Sequence, residues 1–325
     1  MRPVRVGVWG VGTWGEKHAR VLSSVAEGEW VGVHDLDPAR AAQVAARYGG
    51  RVFETPDALL GQCEAVTIAV PTIDHRACLE RAAAAGCHAL VEKPMSPSVE
   101  DADHMLRAAR ASGTALQVGH VERFNPALLA ASPHLGAPRF IEAHRLALFQ
   151  LRSLDIDVVF DLMIHDIDIA LEAVGARPVQ VSAVGVAVLS ANEDIANARI
   201  EFEGGCVANL TASRVSQERL RRIRFFQSDT YLSVDLFEKS GDLLRVDPTR
   251  IAVSPREAIQ RSRLDVPAGE PLTLELQAFL RSLRGLGSGA ASGTAGREAL
   301  RVAAEVRDAM KRRAQQWAVR SSAVS

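Results

Sequence analysis

Val4-Arg5-Val6-Gly7-Val8-Trp9 runs directly into Gly10-Val11-Gly12-Thr13-Trp14-Gly15, and Asp35 closes the next apolar run. That order of parts, a strand, a glycine turn, a helix and an acid about twenty residues on, describes a dinucleotide site. Gly10 permits the tight turn, Gly12 lets backbone approach a pyrophosphate, and Gly15 lets the helix pack on the strand. The helix start at Thr13 and Trp14 offers free N–H groups and the positive end of its dipole. A carboxylate at Asp35 can accept hydrogen bonds from an adenosine ribose and would repel a 2′-phosphate, which favours NAD over NADP.

Outward from this turn, short β-branched runs alternate with alanine-rich helical stretches, as in a parallel sheet with crossover helices. Strands are expected near 4–9, 30–34, 65–70, 88–91 and 115–118, with helices over 38–48, 74–85 and 98–111, the last capped at Ser96-Pro97-Ser98. The fold class is therefore α/β, a doubly wound Rossmann domain over residues 1–121. Beyond it the pattern changes. Ala198, Ile200 and Phe202 alternate with Arg199, Glu201 and Glu203, and Gly204-Gly205 turns the chain back into 207–213 as an antiparallel hairpin would. Residues 122–325 are expected to form an α+β domain with a large mixed, mostly antiparallel open sheet. Within it 288–296 reads as a loop and 297–317 as a C-terminal helix.

Bulk properties restrict the function without naming it. A chain of 325 residues is long for one core, and a hydrophobic content of 47%, a charged content of 24% and a formal net charge of −1 fit a soluble globular enzyme. The charge offers no reason to expect nucleic acid or an anionic membrane as partner. Met1-Arg2-Pro3 leads into a strand and not into a signal-peptide core, so a cytoplasmic location is expected. Cys63, Cys78, Cys87 and Cys206 lack CxxC spacing and read as buried thiols.

In open parallel sheets ligands collect beyond the carboxyl ends of the strands. Val70-Pro71-Thr72, with His75, follows one such end, and Glu92-Lys93-Pro94 follows another. These place an ammonium and a carboxylate where a nicotinamide ring can lie. Pro94 stiffens the turn and leaves a cis Lys93–Pro94 bond open. The plain alternative is a surface lysine in a loop. A second constellation, Asp161-Leu162-Met163-Ile164-His165, lies in an apolar segment from 156 to 174. At 100° per residue Asp157, Asp161, His165, Asp168 and Glu172 share a stripe about 80° wide, which is either a site or the solvent face of an amphipathic helix. Asp166 falls on the opposite, apolar face, where the sequence offers no account of it. No further ligand pair accompanies Asp161 and His165, so no metal is expected. Arg214, Arg219, Arg221, Arg222 and Arg224 suit phosphate oxygens, although such runs also line solvated faces. Arg123 and Asn125, just past the domain junction, are candidate pocket residues.

Taken together, these residues resemble the glucose-fructose oxidoreductase / inositol dehydrogenase (Gfo/Idh/MocA) family of NAD(P)-dependent sugar enzymes over nearly the whole chain. Its marks are the glycine turn, Glu92-Lys93-Pro94, and Asp161 followed four residues on by His165. Three stretches look most like the UDP-N-acetylglucosamine 3-dehydrogenase branch: Gly119-His120-Val121-Glu122-Arg123-Phe124-Asn125-Pro126, residues 161–168, and residues 194–199 through 211–214. The resemblance implies that Lys93, Asp161 and His165 surround the reacting carbon. It also implies that Pro71, Thr72, His75, Glu92 and Lys93 join the glycine turn and Asp35 around the cofactor, and that His120, Arg123, Asn125 and Arg214 face substrate. The implied reaction takes a sugar hydroxyl to a ketone, which an aminotransferase can use in making amino sugars for a cell-envelope glycolipid. Oxidising a secondary alcohol needs a hydride acceptor and a group to take the hydroxyl proton. With an ordinary pKa of about 6.5, His165 suits the base role, Lys93 can donate to the substrate oxygen, and Asp161 can orient the imidazole; the division between His165 and Lys93 stays open. The alternatives are oxidation of a free sugar or inositol, and a dinucleotide-sensing protein without chemistry. A homodimer or homotetramer is expected, with the open sheet as contact.

Overall fold

Val4, Val6, Val8 and Trp9 are all buried, so the strand Val4–Trp9 (β1) presents apolar side chains to both sides, as a central parallel strand must. The computed structural model describes residues 2–150, 156–251, 254–287 and 290–322. After β1 come α1 (Thr13–Leu22), β2 (Gly28–His34), α2 (Pro38–Tyr48), β3 (Arg51–Val52), α3 (Pro56–Leu60), β4 (Ala65–Ile68), α4 (His75–Ala84), β5 (His88–Glu92), α5 (Val99–Ser112) and β6 (Leu116–Gly119). Then follow α6 (Pro126–Ala131), β7 (Phe140–Leu146), α7 (Ile164–Val174), β8 (Pro178–Val186), β9 (Ile195–Phe202), β10 (Val207–Ser213), β11 (Leu220–Phe226), β12 (Thr230–Asp235), β13 (Ser240–Val246), α8 (Pro255–Ala258) and β14 (Ile259–Arg263). The chain ends with α9 (Pro271–Ser282), β15 (Ala291–Ser292) and α10 (Gly293–Ser322).

Helix starts follow their caps. Asp37 accepts from the N–H groups of Ala39 and Arg40 at the head of α2, and Ser98 accepts from Asp101 N–H at the head of α5. The first sheet has the order β15-β6-β5-β4-β1-β2-β3. Strand order reverses between β1 and β4, the point at which such sheets open a crevice beyond their carboxyl ends. Two short elements, β3 and α3, stand where no strand or helix is expected from sequence.

The first compact unit comprises residues 1–124 and 269–300, and the second residues 125–268 and 301–325. This corrects the expected division at residues 121 and 122. Leu272, Leu276, Phe279 and Leu280 of α9 are buried in the same core as Val4, Val6 and Leu22, and β15 pairs antiparallel with β6 through Ala291 and Ser292. Apolar side chains from the far end of the chain thus complete the dinucleotide unit. The stretch expected to be a loop over 288–296 holds β15 and the start of α10, with residues 288 and 289 outside the described ones.

In the second unit the sheet order is β14-β13-β12-β11-β7-β10-β9-β8; β10 runs parallel to β7, and the other neighbouring strands pair antiparallel. The expected hairpin is β9 and β10, with Ala198 opposite Leu210. One face is apolar and covered, with Ile141, Ala198, Leu210 and Phe225 buried. α7 packs on β7 and β10, and α6 on β12 and β13. The other face carries Glu142, Arg199, Asn209, Arg222 and Arg224, the alternation of a one-sided antiparallel sheet.

Candidate active site

Each glycine of the turn meets a different environment. Gly10 has φ +86°, and a Cβ there would lie 2.7 Å from Val70 Cγ1 and 2.9 Å from the Ala69 backbone, so the turns after β1 and β4 pass in contact. A Cβ on Gly15 would stand 1.8 Å from the Gly10 carbonyl oxygen. Around Gly12 nothing lies within 4 Å of the Cβ position, and Gly12 begins α1 without a side-chain cap. Open space beside uncapped N–H groups at Thr13 and Trp14 is room for a pyrophosphate. The Asp35 carboxylate accepts from Val11 N–H at 2.6 Å and from Asp37 N–H at 2.9 Å, which seats it at the rim of the turn. These residues fit a dinucleotide.

At the carboxyl ends of β4 and β5, Pro71 is exposed while Thr72 and Lys93 are half-buried. The Lys93–Pro94 bond is cis. Two neighbours play a different part from the one expected. His75 is 1% exposed, with Nδ1 3.1 Å from Pro94 O and Nε2 3.0 Å from Val70 O, so its ring braces one loop against the other and is not offered to a ligand. Burial pushes its pKa down, against the pull of those carbonyls. Glu92 points inward: Oε1 lies 2.9 Å from Nε2 of the fully buried His18 of α1, and Oε2 accepts from Lys93 N–H at 3.2 Å. Burial raises the Glu92 carboxyl, yet its hydrogen bond to His18, with the charges of His18 and Lys93, brings it below the ordinary value. Sequence reading passed over His18; its signal was a position on the sheet-facing side of α1, shared with Gly15 and Leu22.

Burial pushes the thiols of Cys63, Cys78 and Cys87 up to about 12, and these cysteines and Cys206 are free. Beyond β6, His120 is 1% exposed and Arg123 half-buried in the short turn Val121–Phe124.

In the second unit a π-helical turn, Val159–Met163, precedes α7. A π turn winds more residues per turn than the 100° rule assumes, so the expected polar stripe is broken. Asp157 is buried, its Oδ1 accepting from Val159 and Phe160 N–H at 2.9 and 3.1 Å, and Asp168 is 1% exposed. Asp161 and His165 are half-buried and Glu172 exposed. Asp166, unexplained by sequence, forms a buried two-pronged pair with Arg145 of β7, at 2.9 and 2.7 Å. That pair ties α7 to the sheet beneath it.

Two expected substrate residues make hydrogen bonds within the fold. Asn125 is 2% exposed; its Oδ1 accepts from Ala127 N–H as the cap of α6 and its Nδ2 donates to Leu236 O at 2.8 Å. Arg214 donates to Asp194 Oδ1 at 2.9 Å, Ile156 O at 2.8 Å and Ser190 Oγ at 3.0 Å, so its guanidinium is held within the fold while its side chain borders a cavity. Strand alternation divides the remaining arginines. Arg222 pairs with Asp235 and Arg224 with Glu142 on the polar face, whereas Arg219 and Arg221 line the cavity that Asp161 also lines. Phe237, another lining residue, had no signal in the sequence beyond being apolar in a turn.

Comparison with known proteins agrees with this architecture. Residues 4–120 match the family described as "Oxidoreductase family, NAD-binding Rossmann fold", and residues 130–232 match the "GFO/IDH/MocA C-terminal domain". UDP-N-acetylglucosamine 3-dehydrogenase of Acidithiobacillus ferrooxidans is 40% identical over 309 residues, covering 95% of this chain and 97% of that one. Its solved structure superposes with a TM-score of 0.88 over 95% of this chain and 98% of that one. scyllo-Inositol 2-dehydrogenase (NAD(+)) of Bacillus subtilis is 32% identical over 66% of this chain and 68% of its own. An NAD-binding protein from Listeria innocua, 20% identical, shares the fold with a TM-score of 0.80 over 96% of each chain. The chain thus belongs to the GFO/IDH/MocA family and is an NAD-dependent dehydrogenase.

Proposed function

We propose that this enzyme oxidises the C3 hydroxyl of UDP-N-acetylglucosamine to the 3-keto sugar. The observation that carries the reading is the reach of the similarity: the UDP-N-acetylglucosamine 3-dehydrogenase matches over 95% of the chain, whereas inositol 2-dehydrogenases of Acidothermus cellulolyticus and Rhizobium meliloti match over 52% and 57%. Function resides in sites and not in the fold, so similarity that extends beyond the dinucleotide domain through the second unit bears on substrate. NAD, when bound, supplies the hydride acceptor.

The chain's own residues supply the rest of the chemistry. Lys93 donates a hydrogen bond to the substrate oxygen and stabilises developing alkoxide charge, His165 takes the hydroxyl proton, and Asp161 orients the imidazole. The 3-keto product has the chemistry an aminotransferase requires, which places the enzyme before amino-sugar formation. The protein is expected to act as a homodimer or homotetramer in the cytoplasm, through the polar face of its second sheet. Monomer mass alone in light scattering at micromolar concentration would contradict that assembly.

Incubation of the purified protein with NAD and a panel of UDP-sugars, free sugars and inositols, read by NADH absorbance, tests the substrate. Turnover should be confined to UDP-N-acetylglucosamine; preference for a free polyol would overturn the substrate reading, and no turnover with any of them would point to a sensor. Lys93→Ala and His165→Ala should each lower kcat by about a hundredfold or more while NAD affinity changes little. Normal turnover in both would remove these residues from the chemistry.

A further inference from the structure

The cavity of about 160 Å³ in the second unit that Asp161 lines is bordered by two further cations and an aromatic ring. Arg219 lies exposed in the loop before β11 and, among the described residues, has no ion-pair partner. Arg221 sits on the same side of β11 as the buried Ile223 and Phe225, but at the strand end, where it is exposed and borders the opening. Phe237 is 46% exposed in the turn between β12 and β13. That turn is pinned from within, because Asp235 Oδ1 accepts from Phe237 N–H at 3.1 Å and Glu238 N–H at 3.0 Å. A ring left outside the core on an ordered turn, beside two guanidiniums, offers a flat face for a base and planar forks for phosphate oxygens. Asp161 gives the opening a polarity. Its carboxylate repels phosphate and accepts hydroxyl hydrogen bonds, so an anionic group belongs with the arginines and a sugar with Asp161.

We propose that the open rim of this cavity binds the nucleoside diphosphate half of the substrate, with Arg219 and Arg221 holding the diphosphate and Phe237 stacking the base. The assignment rests on the nucleotide-sugar reading and names the residues that distinguish such a substrate from a free sugar. It is tested by calorimetric titration of the whole protein with UDP and with inorganic pyrophosphate, beside steady-state kinetics with UDP-N-acetylglucosamine. The Arg219→Gln/Arg221→Gln double variant should weaken UDP and pyrophosphate by about tenfold or more, and the loss in kinetics should fall on KM and not on kcat. Phe237→Ala should weaken UDP by about tenfold and leave pyrophosphate alone, with Phe237→Tyr restoring the UDP affinity. All three are surface side chains, so a wild-type melting temperature accompanies these effects. Unaltered UDP affinity in both variants, or no UDP binding by the wild type, overturns the assignment. Wild-type protein that binds UDP through these residues yet oxidises no UDP-sugar would leave the seat standing and remove the proposed reaction. Turnover of UDP-N-acetylglucosamine with an unmoved KM in the variants would do the reverse.

Discussion

Gly12 and Gly15 stand three residues apart in one turn, yet an added methyl meets opposite surroundings: open space at Gly12, and the Gly10 carbonyl 1.8 Å away at Gly15. Gly12→Ala should therefore keep the wild-type melting temperature and bind NAD more weakly, because the methyl fills the phosphate's room. Gly15→Ala should lower the melting temperature or the yield of folded protein, and melting curves beside NAD titrations check both outcomes. Behind Lys93, the fully buried His18 holds Glu92 at 2.9 Å. His18→Ala leaves a buried carboxylate short of a partner and is expected to cost about 3 kcal/mol in urea unfolding. Residue type was legible at all these positions, but side-chain direction was not. The resemblance places Asn125, His75 and Arg214 beside ligands, and in the structure each also hydrogen-bonds the protein's own backbone or side chains.

The helix that carries His165 owes its seat to the Arg145–Asp166 pair, whose side chains are 3% and 4% exposed. Arg145→Met strands a buried carboxylate and should cost about 3–5 kcal/mol, whereas combining it with Asp166→Leu should recover most of the loss; chemical denaturation of the two variants tests this. Between β8 and β9, Asp194 Oδ2 accepts from the N–H groups of Val188, Leu189 and Ser190, and Oδ1 accepts from Ser190 Oγ and Arg214. Burial alone would raise this carboxyl, but those donors, led by the Ser190 hydroxyl, hold it far below the usual range. A depressed native pKa adds stability that is complete above the unfolded carboxyl pKa of about 3.9 and is lost progressively as pH falls toward the native value. Acid unfolding followed by circular dichroism should show that loss below about pH 4 in the wild type. In Asp194→Asn the slope should be shallower and stability at neutral pH lower. Elements with strong local signals were legible: β1 spans the apolar run before the glycine turn, and α2 begins where Asp37 and Pro38 place it. The π turn before α7 was not, since nothing in Val159-Phe160-Asp161 departs from a helical pattern.

Completion of the first unit from both ends of the chain sets what the whole molecule tolerates. Leu272, Leu276, Phe279 and Leu280 are each at most 4% exposed, and burial of such side chains stabilises by about 1.5–3 kcal/mol apiece. Their sum is comparable to the entire stability of an ordinary domain. A chain ending at residue 121 should therefore expose its core, bind an apolar dye and fail to unfold cooperatively, while residues 1–124 linked to 269–300 should melt cooperatively and bind NAD. Cooperative melting of the shorter chain would show that α9 is dispensable to this unit.

The sequence by itself determined the doubly wound class, the glycine cradle with Asp35, the β9–β10 hairpin and the family. Each of these rests on short motifs whose backbone geometry and polarity pattern are local properties, read in their order along the chain. Tertiary structure decided that α9 returns to the first core, that Arg145 answers Asp166, that His18 stands behind Glu92, and that Arg219, Arg221 and Phe237 share a cavity with Asp161. Those outcomes depend on which way side chains point after strands far apart in the chain have paired, and that direction emerges only when the sheets close.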